Sequence, residues 1–172
     1  TNPLVAACER GDASMAEFLI SRGSDVNGSS DDGITPCAAA AGSGNLQLLQ
    51  YLLSMGAQLN PEDQWGESAL NIAAASGRME MVKFLLGKGM DVNLVSGGTT
   101  PLHRAAEGGH YDIVVLLVEK GASVVEEDFE GLKPSDRADA SGFEKIAAFL
   151  REREKLVKDD SVPEEDDFSG TG

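Results

Sequence analysis

The sequence has few cysteines, no long hydrophobic run and few basic residues, and each of these features excludes a class of protein. Two cysteines can form at most one disulfide, which excludes a disulfide-rich secreted scaffold. The longest aliphatic run, residues 113–118, is far shorter than the roughly 20 residues of a membrane-spanning helix. Basic residues are scarce, with 14 Lys and Arg against 29 Asp and Glu. The net charge of −15 argues against non-specific binding to nucleic acid or to an anionic membrane.

Both cysteines, Cys8 and Cys37, lie in apolar, Ala-rich segments, PLVAACERG and TPCAAAAGSG. Such surroundings favour buried free thiols in a reducing compartment. We therefore expect a cytoplasmic or nuclear protein, with an organelle reached after removal of a leader as the alternative. No charged segment followed by an apolar one, the pattern of a signal peptide, opens the chain at Thr1.

No motif of catalysis or of cofactor binding is present. The two histidines, His103 and His110, lie in TTPLHRAAEGGHYDIVVLL, but the histidines and cysteines lack the spacing of zinc ligands. No Ser or Cys has a repeated acid–base partner, and neither a phosphate-binding GxxxxGK nor a dinucleotide fingerprint occurs. We therefore expect no enzyme activity, no catalytic residue, no metal and no cofactor.

The dominant feature of the sequence is an internal repeat of about 33 residues. In each copy one glycine follows a short Ala-rich segment, and the steps between these glycines are 33, 33, 32 and 33 residues. They are Gly11, Gly44, Gly77, Gly109 and Gly142. A leucine in each copy has the same steps: Leu19, Leu52, Leu85, Leu117 and Leu150. A period of this length indicates stacked supersecondary units.

Each copy carries the signals of two helices. A polar residue followed by Pro or Ala, as in Thr35-Pro36, predicts a helix start, because the side chain can accept a bond from an orphan N–H. The second helix has apolar residues at helical spacing, such as Leu49 and Leu52, and glycines such as Gly56 suit a left-handed cap. Polar, turn-forming segments join the copies. Because no unit can bury its apolar face alone, stability must come from stacking.

The fourth copy is the most complete: TPLHRAA from Thr100 to Ala106, followed by Gly109-His110, resembles the ankyrin repeat. The phrases GSDVN and GMDVN resemble the end of that repeat. This resemblance implies an all-α repeat fold, an α-solenoid of five helix–turn–helix units joined by β-hairpin-like loops. It also implies that His103 bonds to the backbone of the neighbouring loop. One set of asparagines resembles positions that are hydroxylated in some family members: Asn27, Asn60 and Asn93.

We expect one ankyrin-repeat domain over residues 1–156 and an acidic, flexible C-terminal tail over 157–172. The five units are about 1–33, 34–66, 67–98, 99–131 and 132–156. The fifth unit departs from the motif, with Lys133 for the Thr and Asp136 for the His, and its last helix ends in REREK without a capping glycine. A terminal repeat needs a polar outer face because nothing stacks on it, so this departure fits a C-terminal cap.

The resemblance implies that partners dock on a concave face lined by short helices and hairpin tips. Trp65 lies in the polar stretch NPEDQWGES and is a candidate aromatic anchor; the alternative is that it packs flat on the adjacent hairpin. Acidic residues on the same edge would steer a basic segment, unless they form a merely solvated face. The candidate partner-binding residues are Asp32, Asp63, Gln64, Trp65, Glu67, Ser76, Ser96, Arg104, Glu107, Phe129 and Glu130.

We therefore expect a non-catalytic protein–protein interaction module, an adaptor or assembly subunit, that is monomeric on its own and binds a basic or Lys/Arg-bearing protein surface. Two alternatives stay open: an escort for a highly basic protein such as a ribosomal protein or histone, and an inhibitor that docks on an enzyme. An escort predicts binding that weakens steeply with salt, and an apolar-anchored adaptor predicts a shallow dependence. The tail either solvates the protein or makes a second contact, with Phe168 as an apolar plug.

Overall fold

The computed structural model describes residues 1–60 and 66–160, and within these ranges it contains ten α-helices and one isolated β-bridge, between Ser96 and Thr99. The helices form five consecutive pairs, one for each sequence repeat. None of the helices in the described ranges is long and apolar enough to cross a membrane. The helix bounds are α1 Pro3–Glu9, α2 Ala13–Ser21, α3 Pro36–Ser43, α4 Leu46–Ser54, α5 Ala69–Ala75, α6 Met79–Gly87, α7 Pro101–Glu107, α8 Tyr111–Glu119, α9 Pro134–Ala140 and α10 Glu144–Asp160.

The helix boundaries follow the predicted capping chemistry. The Thr35 hydroxyl accepts a hydrogen bond from the backbone N–H of Ala38 at 3.2 Å, and Ser68 does the same for Asn71 at 3.1 Å. These bonds satisfy donors that have no partner inside the helix. After α4, Gly56 has a φ of 91°, a left-handed conformation that closes the helix end without a Cβ penalty. The predicted caps at both ends are confirmed.

The short helices α1, α3, α5, α7 and α9 form a continuous inner row, in which each helix packs directly on the next. The second helices pack on their own inner partners and touch one another far less. Small side chains make the inner row tight: a Cβ added to Gly42 would lie 2.8 Å from Cγ2 of Ile72 on the next inner helix. The inner row is therefore more closely packed than the outer one.

A continuous apolar core runs between the two rows. Leu52, Leu85, Leu117 and Leu150, which occupy one repeat position, are completely buried. Burying one leucine side chain contributes about 2 kcal/mol, so these positions anchor each helix pair to its neighbours. Leu19, the first-unit equivalent, is only partly buried.

Polar side chains link consecutive units from the position after the inter-helix glycine. Arg78 Nε donates to the Gly42 carbonyl at 2.9 Å, and His110 Nε2 lies 2.8 Å from the Ala75 carbonyl oxygen. The His110 ring fills the space where a Cβ on Gly77 would stand, 2.6 Å from its Cε1. Glycine is therefore required at that turn both by its φ of 69° and by the ring packed on it.

The fifth unit closes the stack with polar contacts to α10. The Ser135 hydroxyl donates to Glu154 Oε1 at 2.5 Å, Lys133 Nζ lies 3.5 Å from Glu154 Oε2, and Arg151 pairs with Asp139. These contacts agree with a terminal capping role for this unit. Helix α10 continues to Asp160, beyond the boundary expected at residue 156. The remainder of the predicted tail, 161–172, lies outside the described residues.

Candidate functional site

His103 is a structural residue that ties two units together. It is buried, its Nε2 lies 2.9 Å from the Leu132 carbonyl oxygen, and its Nδ1 accepts from the Thr100 backbone N–H at 3.3 Å. These contacts define a neutral ring with the proton on Nε2, and burial lowers the pKa of His103 below its usual value. The role that the family resemblance implies for His103 is confirmed.

In the third unit, Asn71 and Ser96 together make the hydrogen bonds that join the unit to its neighbour. Asn71 Nδ2 donates to the Ser96 and Thr99 carbonyls at 3.1 and 3.0 Å. The Ser96 hydroxyl accepts from the Ser68 backbone N–H at 2.8 Å and donates to the Gly66 carbonyl at 2.6 Å. Ser96 was expected on an exposed hairpin tip, but its side chain is buried because it supplies these two bonds. The expected exposure of Ser96 is therefore wrong, whereas its contact with a partner stays a prediction.

The structure brings three of the predicted residues, Arg104, Glu67 and Glu107, into one charge cluster on the inner row. The Arg104 guanidinium binds Glu67 through Nη2, and its Nη1 lies 3.3 Å from Glu107 Oε2. One positive charge thus stands against two carboxylates. Arg104 and Glu107 lie in the middle and at the end of α7, and Glu67 lies just before α5, beside Gly97 of the hairpin that joins the third unit to the fourth.

A second cluster of the same kind lies one unit further along, around Arg137. Its Nε lies 2.5 Å from Asp128 Oδ2, and its Nη2 binds Glu130. Burial alone would raise the pKa of Asp128, but hydrogen bonds from Arg137 and from the Leu132 and Glu130 backbone hold that pKa below its usual value. Asp128 is therefore a buried structural carboxylate, whereas Glu130 is exposed.

Arg137 was not among the predicted residues, although the repeat register offered a signal for it. It lies 33 residues after Arg104, at the equivalent position of the next inner helix. Each arginine binds two carboxylates, Arg104 those of Glu67 and Glu107 and Arg137 those of Asp128 and Glu130. The arginine therefore repeats with the period of the stack, whereas the positions of its carboxylate partners do not.

Phe129 is held in place with its side chain in solvent. It is 70% exposed, at the tip of the hairpin between the fourth and fifth units. Its backbone N–H donates to the Gly98 carbonyl of the preceding hairpin at 3.0 Å, and the Arg137 guanidinium lies 5.7 Å from the ring centroid. The hydrogen bond fixes the backbone and the cation–π contact orients the ring. An exposed aromatic side chain held in this way is suited to anchor a partner.

The other predicted binding residues belong to the first three units. Asp32, on the first hairpin, and Ser76, at the end of α5, are exposed. Asp63, Gln64 and Trp65 lie outside the described residues, and the anchoring by Trp65 stays a prediction.

The cysteines contribute no reactive group to the surface. Cys8 and Cys37 are free and buried on the neighbouring helices α1 and α3. Burial raises the pKa of each thiol to about 12, which keeps both protonated at neutral pH. Across the described ranges, no three His, Cys, Asp or Glu side chains converge as a metal site would require.

Comparison with known proteins agrees with this architecture. The family model for ankyrin repeats (three copies) matches residues 1–63 and 37–128. Alpha-latrocrustotoxin-Lt1a of Latrodectus tredecimguttatus is 48% identical over 52 residues, which make up 30% of this chain and 3% of that protein. Potassium channel AKT1 of Arabidopsis thaliana is 39% identical over 56 residues, 33% of this chain and 6% of the channel.

The matched segment is a small fraction of each of these curated relatives, so the similarity concerns the repeats and not the whole proteins. The family model covers most of the chain, the five helix pairs have the order that the repeat motif predicts, and the fourth pair has its inter-unit histidine bond. Repeats of this kind are generally protein–protein interaction modules and are typically non-catalytic. The chain belongs to the ankyrin-repeat family.

Proposed function

We propose that this chain is a non-catalytic interaction module, an adaptor or assembly subunit, that binds a Lys/Arg-bearing segment of another protein along its inner row and hairpin tips. The observation that carries the proposal is Phe129, which is fixed in solvent beside two acidic clusters. An apolar anchor flanked by negative charge suits a segment with an apolar residue next to basic ones.

The charge balance of this face supports a basic partner. Arg104 is held by Glu67 and Glu107, and Arg137 by Asp128 and Glu130, so each cluster has a net charge of −1. An incoming Lys or Arg meets the carboxylates of Glu67, Glu107 and Glu130, whose second oxygens can accept further bonds, while the resident arginines are already engaged. Exposed Asp32 adds negative charge at the other end of the face.

The ion pairs of Arg104 and Arg137 also favour an adaptor over an escort that works by bulk charge neutralisation. Several acidic side chains that could neutralise a basic protein already accept hydrogen bonds within this chain. Asp128 is the most completely bonded of them. The exposed carboxylates select a segment by the positions of its basic residues, because the bound arginine fixes the orientation of each carboxylate. Such a surface discriminates between basic sequences instead of collecting positive charge of any kind.

The test uses a displayed library of unstructured peptides that carry Lys and Arg around one apolar or aromatic residue. The tightest binder is then titrated calorimetrically against the wild type, Phe129→Ala and Phe18→Ala. Phe18 is the matched control, because it is an exposed phenylalanine on α2, in the outer row. We expect Phe129→Ala to weaken binding by about 10–100-fold and Phe18→Ala to leave the dissociation constant unchanged.

Equal affinities of the wild type and Phe129→Ala, with both proteins folded by circular dichroism, would place the binding surface elsewhere. A second arm repeats the titration at rising salt. A shallow dependence supports the anchored adaptor. A steep dependence that is insensitive to Phe129 supports the escort, and stoichiometric loss of an identified partner's activity supports the docking inhibitor.

A further inference from the structure

The charge of the chain is divided unevenly between its two rows of helices. The outer helices α2, α4, α6, α8 and α10, taken with the C-terminal cap residues of the first four, carry nine of the 14 basic residues and nine of the 29 acidic ones. The outer row is therefore neutral, and the net charge of −15 comes from the rest of the chain. Four of the five basic residues outside this row are already bonded within the chain: Arg78, Arg104, Lys133 and Arg137. A negatively charged segment is therefore repelled by most of the molecule and least by the outer row.

Cations repeat along one edge of the outer row. Lys88 and Lys120 are the C-terminal caps of α6 and α8, and Arg153 occupies the equivalent position of α10, 33 residues after Lys120. All three side chains belong to exposed residues. Because packed helix axes are about 8–10 Å apart, a segment that crosses these helix ends meets one cation at each helix.

An apolar groove between α6 and α8 opens beside this edge. Its lining residues are Lys83, Leu86, Gly87, Leu116 and Lys120, and its volume is about 340 Å³. The two leucines are half-buried and the two lysines are exposed. A Cβ added to Gly87 would meet no atom within 4 Å, so the groove is open at that residue. The groove therefore offers an apolar surface, large enough for one aromatic side chain, between two positive charges.

The sequence that follows α10 has the complementary chemistry. Four consecutive acids, residues 164–167, directly precede Phe168. These residues lie outside the described ranges, so the match is one of sequence and charge. An aromatic side chain next to a run of carboxylates is the counterpart of an apolar groove with a lysine on either side.

The groove is within reach of Phe168. Asp160 lies seven residues beyond Arg153, which places it about 10 Å past the row of cations along the helix axis. The groove lies about one and a half helix spacings to the side, or roughly 15 Å. The eight residues from Asp160 to Phe168 span up to about 26 Å, which exceeds the resulting separation of about 20 Å. A tether of this length gives an effective concentration in the millimolar range, so a weak contact is enough for occupancy.

We propose that residues 164–168 bind to the groove between α6 and α8 of the same molecule. Phe168 packs on the two leucines of the groove, and the four acids lie beside its two lysines. The contact neutralises part of the acidic segment and leaves the inner row and hairpin tips open. It is independent of the proposed partner site, so either one can fail without the other.

The experiment attaches a nitroxide label to Ser169→Cys in the full chain and records paramagnetic broadening of backbone amide NMR signals. The label reacts selectively with the introduced thiol, because both native cysteines are buried. We expect loss of the Leu86 and Leu116 signals. The Ile20 and Tyr51 signals, from the equivalent positions of α2 and α4, should keep their intensity.

Two variants of the labelled chain separate binding from mere proximity. Lys120→Glu reverses a charge of the groove and Phe168→Ala removes the apolar contact, and each should restore the Leu86 and Leu116 signals. Arg22→Glu is the matched control, because Arg22 caps α2 as Lys120 caps α8. It makes the same change of charge at the same helix position and should leave the broadening intact.

Three results would overturn the proposal. The first is a labelled chain that retains the signals of the groove. The second is broadening that persists in Lys120→Glu or in Phe168→Ala, because the label is then near the groove without being bound there. The third comes from a mixture of isotope-labelled chains and nitroxide-labelled chains: broadening between the two shows that the segment binds to a second copy.

Discussion

Replacement of His103 is the sharpest test of how consecutive units are joined. His103→Ala leaves the Thr100 N–H and the Leu132 carbonyl without the ring atoms that satisfy them, and removes a buried side chain. An unsatisfied buried polar group costs about 1–3 kcal/mol. Water partly reaches the Leu132 carbonyl, so the two groups together give an expected loss of about 3 kcal/mol in the free energy of unfolding. This corresponds to roughly 6–12 °C in melting temperature for a chain of this size.

The pH dependence of this loss has a defined sign. Burial lowers the pKa of His103 in the folded protein, whereas the unfolded chain titrates near the ordinary histidine value of about 6.5. Below that pH the unfolded chain binds a proton that the folded protein does not, so protonation favours unfolding. The contribution of His103 is therefore complete above about pH 6.5 and decreases as the pH falls below it, until the folded pKa is reached.

The assay is urea unfolding of the wild type, His103→Ala and His103→Asn between pH 8 and pH 5.5. His103→Asn is the informative partner, because Asn71 fills the same position of the third unit with a group that does not titrate. Its destabilisation should be smaller than that of His103→Ala, and the gap between it and the wild type should narrow towards pH 5.5. A loss below about 1 kcal/mol in His103→Ala, or a gap independent of pH, would refute the reasoning.

Four further predictions concern individual residues. Arg137→Met should destabilise the protein by roughly 3 kcal/mol in urea unfolding, because it leaves the buried Asp128 carboxylate without its cation. Gly56→Ala, with no atom near the new Cβ, should cost about 1–2 kcal/mol through its positive φ alone. Gly77→Ala should cost at least about 1 kcal/mol more than that, because its Cβ overlaps the His110 ring. Both thiols, with pKa values of about 12, should react with a thiol-specific dye only after unfolding.

The fold was predictable because its determinants are local and repeated. A cap such as Thr35 and a left-handed glycine such as Gly56 fix the ends of each helix within a few residues, and the period fixes which units are neighbours. The His103 bond to Leu132 was also predictable, since the motif occurs almost complete in that unit.

The candidate site was less predictable, because exposure at a hairpin tip depends on contacts between units. Ser96 looks like a solvent-facing turn residue in the sequence, yet it is buried because Ser68 and Gly66 of the preceding segment require its hydroxyl. Asp128 has the appearance of a surface acid, but its partner Arg137 comes from the following inner helix. A hydropathy pattern cannot show such pairings, although the 33-residue step from Arg104 to Arg137 was present in the sequence.

The contacts that a side chain makes between units decide whether its replacement can change partner binding without changing the stability of the fold. The Phe129 ring is in solvent while its backbone carries the bond to Gly98, so Phe129→Ala removes the anchor and keeps the hairpin connection. Arg104 binds Glu67 of the preceding segment, so its replacement changes the charge of the face and weakens a junction between units at the same time. Because each unit of a repeat stack is stabilised mainly by its neighbours, such damage spreads along the array. A loss of binding in Phe129→Ala therefore reports on the partner contact, whereas a loss in an Arg104 variant also reports on the stack.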